Sequence, residues 1–589
     1  MDRQAWLAVI LCIVGLVVWE VYVVRNQAPV PARTAASPSP SVSIAQGPAP
    51  SATESLPAST ATPLPASTPA VSPNETTPTP APFAEKRATL SNRDLKLLMT
   101  NRGGGIAAAV LSRHKAENGT PVKLNEHNQV PIGAIVEQPA APVLNEFSIT
   151  AAQQSVEFER ALGKGITVRK KFTLPNAPNE KDSYVAQMEI LFQNTGTTSY
   201  SNPGYFIALG SGAPIHGSDW PNYTRLTWCI DGKTKTTDVN WFSAQTYPFV
   251  GIEKRTAQQY FEAPAGNAEW GAVSNQFFCT LVTPLNAPID KVWATRFEAS
   301  KGQNGAQPHY GIEGAIGMPG FELKPGQISM VRYQLYIGPK LYHRLAQLSH
   351  DEAEIMDFGL WKLVSEALLN MMNLIHRFVG NYAIAILILT AIVKAVLWPL
   401  QTKANKSMRR MGALSPKMQE LREKYKDDPT KMNQEVMKLY KDYGINPVSG
   451  CLPMVIQIPI FFGLFTMLRQ AVELRNASFL WVKDLSQPDT IAHIPGLGWP
   501  INILPLLMAA TSFWMTSITP KSGDATQQRV MMFMPLIFVV FCYNFAAALA
   551  LYYTTQNLFT ILQLYQNRNQ PLPKLEKVNQ PAKRKGKVR

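Results

Sequence analysis

Hydrophobic and polar positions repeat with two different periods along this chain, and the change falls near residue 350. From about residue 84 to 345 the period is two. In Val185–Phe192 and Gln327–Tyr336 apolar and polar side chains trade places, with Val331, Tyr333 and Leu335 set against Arg332 and Gln334. Strands with one buried face read this way. Turn signals such as Asn101-Arg-Gly-Gly-Gly105, Asn194-Thr-Gly196 and Lys324-Pro-Gly326 separate the runs. The pattern predicts a large antiparallel β-sandwich over 84–345.

Beyond it the period becomes helical. Over 358–375, Trp361, Val364, Leu368, Met372 and Ile375 share one face, while Lys362, Glu366, Asn370 and Asn373 lie elsewhere. An amphipathic helix lying in a membrane interface fits, and so does a plain connecting helix. We assign it residues 346–375. Apolar runs then follow at His376–Leu400, Cys451–Leu468 (interrupted by Pro453 and Pro459), Pro500–Ile518 and Val530–Leu564. The last would be about 52 Å long as one helix, too long for a single crossing. A further run, Ala5–Val24, is long enough to span a bilayer and lacks the small residues of a cleavage site. We read it as an uncleaved anchor within residues 1–25.

Composition fills in the connections. Residues 26–83 are dominated by Pro, Ser, Thr and Ala, with Arg33, Glu54 and Glu75 charged, as in a disordered tether. The net charge of +15 is concentrated late in the chain. The segment 401–448 holds eleven Lys and Arg residues, and the tail 567–589 ends in a basic cluster that includes Lys583, Arg584 and Lys585. The segment 471–499 has only Arg475 and Lys483. The positive-inside rule places the first two in the cytoplasm and the third outside. Both placements hold only if 530–564 crosses twice, turning near Asn544–Ala547. With the anchor this gives six spans, both termini cytoplasmic and the sandwich exported. Within 401–448, Ser415-Pro416 and Asp428-Pro429 start two short helices, and Gly444 ends the second. This basic hairpin serves equally as a topology determinant or as a docking surface for a ribosome, with Arg409 and Arg410 on it. Among the cysteines, Cys229 and Cys279 lie in the sandwich; the sequence leaves open whether they pair. No metal-type spacing, phosphate loop or nucleophile elbow appears, so no cofactor is expected.

One residue breaks the apolar pattern. Lys394 sits inside His376–Leu400, and no Asp or Glu occurs from Ala367 through Gln419. An ammonium at mid-bilayer costs about 2.5–3.5 kcal/mol on insertion scales, which makes such a charge a functional-site candidate. It is either hydrated in a cavity or snorkels along its stem to the near interface. Thr390, one helical turn earlier, shares its face. Gln457, Asn502, Tyr552, Tyr553, Gln556 and Asn557 add polar atoms within apolar runs and should face protein or water.

Three of these stretches carry a resemblance. Thr390-Ala-Ile-Val-Lys394-Ala-Val-Leu-Trp-Pro399-Leu, Asn446-Pro447-Val-Ser-Gly450-Cys451-Leu-Pro453-Met-Val-Ile-Gln457-Ile-Pro459-Ile-Phe461 and Leu551-Tyr552-Tyr553-Thr-Thr-Gln-Asn557-Leu resemble the YidC/Oxa1/Alb3 family of membrane protein insertases. In the sandwich, Trp270-Gly-Ala-Val-Ser-Asn-Gln276-Phe-Phe278 and Tyr336-Ile-Gly338-Pro339-Lys340 are similar to its long bacterial form. The resemblance implies an α+β membrane protein: five spans in 376–566 around a hydrophilic groove open to cytoplasm and lipid, beneath a supersandwich related in shape to sugar mutarotases. It implies a non-enzymatic insertase and chaperone of the inner membrane, acting alone or with the Sec translocon. Its partners would be nascent membrane proteins, the ribosome and the lipid bilayer. Lys394 stands where well-known members carry arginine, which keeps the charge but not the bidentate fork. Asn544-Phe-Ala-Ala547 stands where they carry a proline-glycine turn. Two other classes compete. A transporter or channel with an external binding domain would show inverted repeats and acids within its spans. A tethered sugar-active enzyme would show clustered His and carboxylates in a cleft of the sandwich.

Overall fold

The computed structural model describes residues 83–127, 129–176, 183–246, 252–300, 308–445, 452–495, 498–519, 532–533, 537 and 539–568. The anchor, residues 26–82 of the tether, residues 569–589 of the tail, and Asn446–Cys451 of the second family-like stretch lie outside the described residues.

Alternation becomes sheet where it was expected. A nine-stranded antiparallel sheet runs from edge to edge through Lys233–Asp238, Arg225–Ile230, Trp270–Ser274, Phe278–Pro284, Ile328–Pro339, Val185–Asn194, Ile166–Thr173, Ser155–Gly163 and Ser148–Ala151. A five-stranded sheet, with His309–Leu323 beside Tyr200–Gly212, covers it, and a four-stranded sheet over 87–124 joins one side. The two larger sheets approach closely where glycine removes a side chain: a Cβ on Gly314 would lie 2.7 Å from Cγ1 of Val273. Cys229 and Cys279 are both buried free thiols, so no disulfide closes the sandwich.

Strand Ile166–Thr173 carries an inward lysine. Lys170 is fully buried, and its Nζ donates to the carbonyls of Gly103 (2.7 Å) and Gly133 (3.1 Å) over the ring of Phe147. Burial pushes its pKa well below the usual lysine value, because the charged form loses its hydration. Gly103 and Gly104 have φ of +72° and +57°, and this turn is what brings the carbonyl to the lysine.

After the sandwich come seven helices longer than one turn among the described residues: α1 (Lys362–Val379), α2 (Tyr382–Ala413), α3 (Ser415–Lys424), α4 (Pro429–Asp442), α5 (Leu452–Gln470), α6 (Ile503–Ile518) and α7 (Ala547–Arg568). The apolar face of α1 packs on α5, where Ser365 Oγ donates to the carbonyl of Gly463 (2.9 Å). The α1–α2 break falls at Gly380 and Asn381, four residues beyond the start expected for the first span. Gly380 takes φ +67° as a C-cap, and the Asn381 side chain accepts from the amides of Ala383 and Ile384. Nor does α2 stop near Leu400. It continues through Pro399 to Ala413: the proline forfeits one donor and crowds the carbonyl a turn earlier, but most of Gln401–Arg410 (Gln, Lys, Ala, Met and Arg, broken by Thr402, Asn405 and Ser407) favours helix. Helix α4 starts with Asp428 accepting from the amide of Lys431, with Pro429 behind it. Helical residues also run to Cys542, and the chain turns at 543–546 before α7. By length and composition α2 is the one described helix able to cross a membrane; Val455–Gln470 and Ile503–Ile518 are apolar and shorter.

Sandwich and helices meet at the C-terminal end of α5. Gln276 Nε2 donates to the carbonyl of Arg469 (2.9 Å), and its Oε1 accepts from the amide of Trp220 (2.9 Å). Lys340 Nζ donates to Gln470 Oε1 (3.3 Å). The Arg469 guanidinium lies against the rings of Trp220, Phe465 (4.0 Å) and Phe545 (4.6 Å). Both family-like stretches of the sandwich therefore end on α5.

Candidate functional site: a polar seam between helices

Along α7 the residues Tyr552, Gln556, Thr560, Gln563 and Asn567 recur at intervals of three or four, so they form one stripe. Helix α2 answers with Lys394, Gln401 and Thr402, and α5 with Gln457. Where the stripes meet, polar groups that apolar flanks keep from water find one another.

Lys394 is 4% exposed. Its Nζ donates to Thr560 Oγ1 (2.7 Å) and to Gln401 Oε1 (3.0 Å), and no acidic group lies within ion-pair distance among the described residues. An ammonium has three donors. Two are thus taken by neutral oxygens, and among the described residues no carboxylate pairs with the charge. The bond to Gln401, seven residues on, directs the side chain along α2 toward its C-terminal end. Thr390 is buried on the same helix, but its hydroxyl turns back to the carbonyl of Ile386 (2.7 Å) and does not join this cluster.

A second cluster lies one to two turns along α7. Gln457 Nε2 donates to Gln556 Oε1 (3.2 Å) and approaches the Tyr552 hydroxyl (3.5 Å). Tyr553 packs edge-on against Phe461 (5.4 Å between centroids) and Tyr552 (5.5 Å). Asn557 points the other way, into α6, where its Nδ2 donates to Ser512 Oγ (2.8 Å) and Thr511 Oγ1 (3.1 Å). Asn502 is not part of the seam. It sits before α6 and ties three segments together: its Nδ2 donates to the carbonyl of Tyr543 (2.8 Å), and its Oδ1 accepts from Thr490 (2.7 Å).

The seam holds residues that sequence reasoning missed. Thr560 and Gln401 hold the ammonium. Gln563 is fully buried and donates to Thr402 Oγ1 (3.1 Å) and the carbonyl of Trp398 (3.3 Å). The interval of four, four and three from Tyr552 to Gln563 was the available signal. At the far end Arg409 donates to the carbonyl of Asn567 (2.7 Å), so it braces α2 against α7, while Arg410 is exposed. Lys583, Arg584 and Lys585 lie outside the described residues.

The sandwich carries clefts of its own. One, of about 480 Å³, is lined in part by Glu117, Lys123, Glu126 and His127. Glu117 and Glu126 are exposed, and the His127 ring rests on Phe297 (5.6 Å). Solvated carboxylates of this kind lack the burial that separates an acid from a base. Among the described residues no group of three His, Cys, Asp or Glu could hold a metal ion.

Two protein families match this chain: "60Kd inner membrane protein" over residues 374–572 and "YidC periplasmic domain" over residues 87–371. The chain is 29% identical to the membrane protein insertase YidC of Syntrophus aciditrophicus, covering 96% of this chain and 99% of the relative. It is 30% identical to the protein of that name in Nitratidesulfovibrio vulgaris, covering 83% and 87%. Among solved structures it is similar to an active YidC insertase crystallised with its first transmembrane domain resolved (19% identity, 83% and 94% covered, TM-score 0.35). A galactose mutarotase-like protein from Lactobacillus casei also matches (9% identity, 43% and 100% covered, TM-score 0.29).

Proposed function

Because the chain belongs to the YidC family of membrane protein insertases, we propose that the polar seam of α2, α5 and α7 is where a client segment is received. The bundle then stands as five spans that, with the anchor at 1–25, make six. The hairpin of α3 and α4 and the tail 567–589 face the cytoplasm, and the sandwich lies in the periplasm. Lys394 supplies a cation whose present partners are neutral and exchangeable, so an acidic residue in the incoming segment competes well for it. Gln457, Tyr552, Gln556 and Thr560 offer further bonds to polar backbone, while Asn557 holds α6 against α7. The client's apolar helix leaves for lipid, and burial of its surface at about 25 cal/mol per Å² drives the step. The reaction requires no nucleotide. It proceeds alone or beside the Sec translocon, with the ribosome met by the basic hairpin.

The observation that carries this reading is the Lys394 ammonium, held by Thr560 and Gln401 in the part of the chain that matches the inner-membrane family. Photo-crosslinkers placed at Gln457 and Gln556 test it. Ribosome-bound chains with one emerging apolar segment are expected to crosslink at both, and more strongly when an acidic residue precedes that segment. Crosslinks to the hairpin alone, with none at either seam position, would remove the seam from the client's path and favour a transporter.

A further inference from the structure

Between α5 and α6 the chain raises two apolar tips. The first is a two-residue turn. The amide of Phe479 donates to the carbonyl of Val482 (2.9 Å) and that of Val482 to the carbonyl of Phe479 (2.8 Å), leaving Leu480 and Trp481 in the corner. Leu480 has φ +51° and Trp481 does not have a positive φ, the pattern of a type II′ turn, whose first corner is ordinarily glycine. A branched side chain is strained there. Leu480 is nonetheless 76% exposed, so no packing inside the chain compensates the strain. The second tip is the hairpin of Thr490–His493 and Pro500–Asn502. It exposes Ile491, Ile494 and Trp499, the last at 67%.

One buried carboxylate fixes both tips to the bundle. Asp489 Oδ2 accepts from Trp481 Nε1 (3.1 Å) and from the amide of Leu504 at the start of α6 (2.7 Å). The neighbouring acid, Asp484, is engaged by Ser486, while Lys483 points to solvent. The acids are therefore turned inward and the outward groups are apolar or cationic. This surface continues onto the flank of α6, where Leu506 is exposed.

We infer that these two tips form a lipid anchor: Leu480, Trp481, Ile491, Ile494 and Trp499 enter the boundary between headgroups and acyl chains of the bilayer beside α6. Indole rings and aliphatic tips next to a lysine match that layer, where an amphipathic ring has both its preferences met. The occupant is lipid because the patch continues an apolar helix flank and its free charge is positive. A strained leucine in a glycine position then has a reason, since the turn holds it where lipid covers it. The inference goes beyond the client seam and involves neither Lys394 nor its partners.

The test uses the full chain with its five cysteines replaced, reconstituted at one copy per nanodisc, where both faces of the bilayer are open. A fluorophore on Leu480→Cys is compared with one on Lys235→Cys, on the exposed edge strand of the sandwich. At 480, a lipid with its nitroxide near the headgroup is expected to quench strongly, and iodide roughly threefold less than at 235. Equal iodide quenching at both positions with no nitroxide effect would overturn the inference. So would protection that appears only with two copies per disc, which would give the face to a second copy. Leu480→Gly supplies an independent reading. Glycine accepts the turn freely, so melting in detergent should stay the same or rise, while the extra stabilisation that nanodiscs give the parent should shrink. A lower melting temperature in detergent would make Leu480 a packing residue and refute the anchor.

Discussion

Replacing Lys394 with methionine separates what the charge costs from what it does. Methionine keeps the unbranched stem and removes the ammonium. In a bilayer that ammonium costs about 2.5–3.5 kcal/mol by insertion scales. Its two hydrogen bonds, at 2.7 Å and 3.0 Å, return about 0.6–1.7 kcal/mol each. Little is orphaned by the change, because Thr560 keeps its bond to the carbonyl of Gln556 (2.8 Å) and Gln401 is only half-buried. The variant should therefore be more stable than the parent by about 1 kcal/mol, the difference of those terms. Unfolding in nanodiscs, run side by side, measures this. Insertion into proteoliposomes of a client whose exported tail carries an acidic residue measures the other half, and should fall about tenfold, or about 1.4 kcal/mol of barrier. A neutral tail should be affected less. Lys394→Arg should retain insertion, Lys394→Glu should lose it and Lys394→Ala should lie between. If Lys394→Met inserted the acidic tail as fast as the parent, the cation would not be what attracts clients. If it were less stable, the ammonium would be a structural cross-link and the cost argument would be wrong.

Three further outcomes are expected. Asn557→Ala should weaken the α6–α7 contact by about 0.5–1.7 kcal/mol, because the carboxamide bridges Ser512 and Thr511; denaturant titration in bilayers reads this, and no change would show that the two hydroxyls satisfy each other. Gln276→Ala should leave the Trp220 amide and the Arg469 carbonyl unpaired, at about 1–3 kcal/mol. Hydrogen exchange should then accelerate at 218–223 while the sandwich strands stay protected, whereas uniform acceleration would contradict a local role. Burial raises Glu313 from the ordinary 4.5 to about 7, offset in part by the Val130 amide donating to Oε1. The folded sandwich thus binds more protons than the unfolded chain between those values. Its stability is full below pH 4.5 and falls as pH rises to about 7, by up to about 3 kcal/mol from this residue. Glu313→Gln should flatten that slope in chemical unfolding, and an unchanged slope would mean the carboxyl is already ionised below it.

Much of the sandwich was legible because one face of each long strand is buried. From Ala186 to Asn194 buried residues alternate with half-buried or exposed ones. The same rule already pointed Lys170 inward, between Val168 and Phe172, yet a lysine reads as solvated by composition. Only the fold supplies the glycine carbonyls that accept its protons, and these come from turns 67 and 37 residues away in sequence. Sheet order is likewise set by pairings far apart along the chain, such as Arg225–Ile230 beside Trp270–Ser274. Helix ends were harder to place. Pro399 reads as a stop because it lacks a donor, but a long helix tolerates that loss when the residues beyond it are good helix formers. Gly380-Asn381 is a cap pair that the apolar continuity across it conceals.

The seam divides in the same way. Lys394 stood out alone, since a charge in an apolar run is a local anomaly that any scan detects. Its partners did not stand out, because Thr560 and Gln401 are neutral and ordinary until two helices are laid side by side. Asn502 shows the converse error. A polar residue at the edge of an apolar run looks like a groove residue, but its side chain is spent on the Thr490 hydroxyl and on the carbonyl of Tyr543. The distinguishing property is position on the helix: Asn502 precedes α6, where backbone donors and acceptors are open, whereas Gln457, Gln556 and Thr560 lie inside helices whose backbone is already paired. Within a helix interior a carboxamide such as Gln457 finds its partner on another helix, whereas a hydroxyl such as that of Thr390 can turn back to its own backbone. Interior position therefore separates the residues that can line a client path from those that only hold a loop in place.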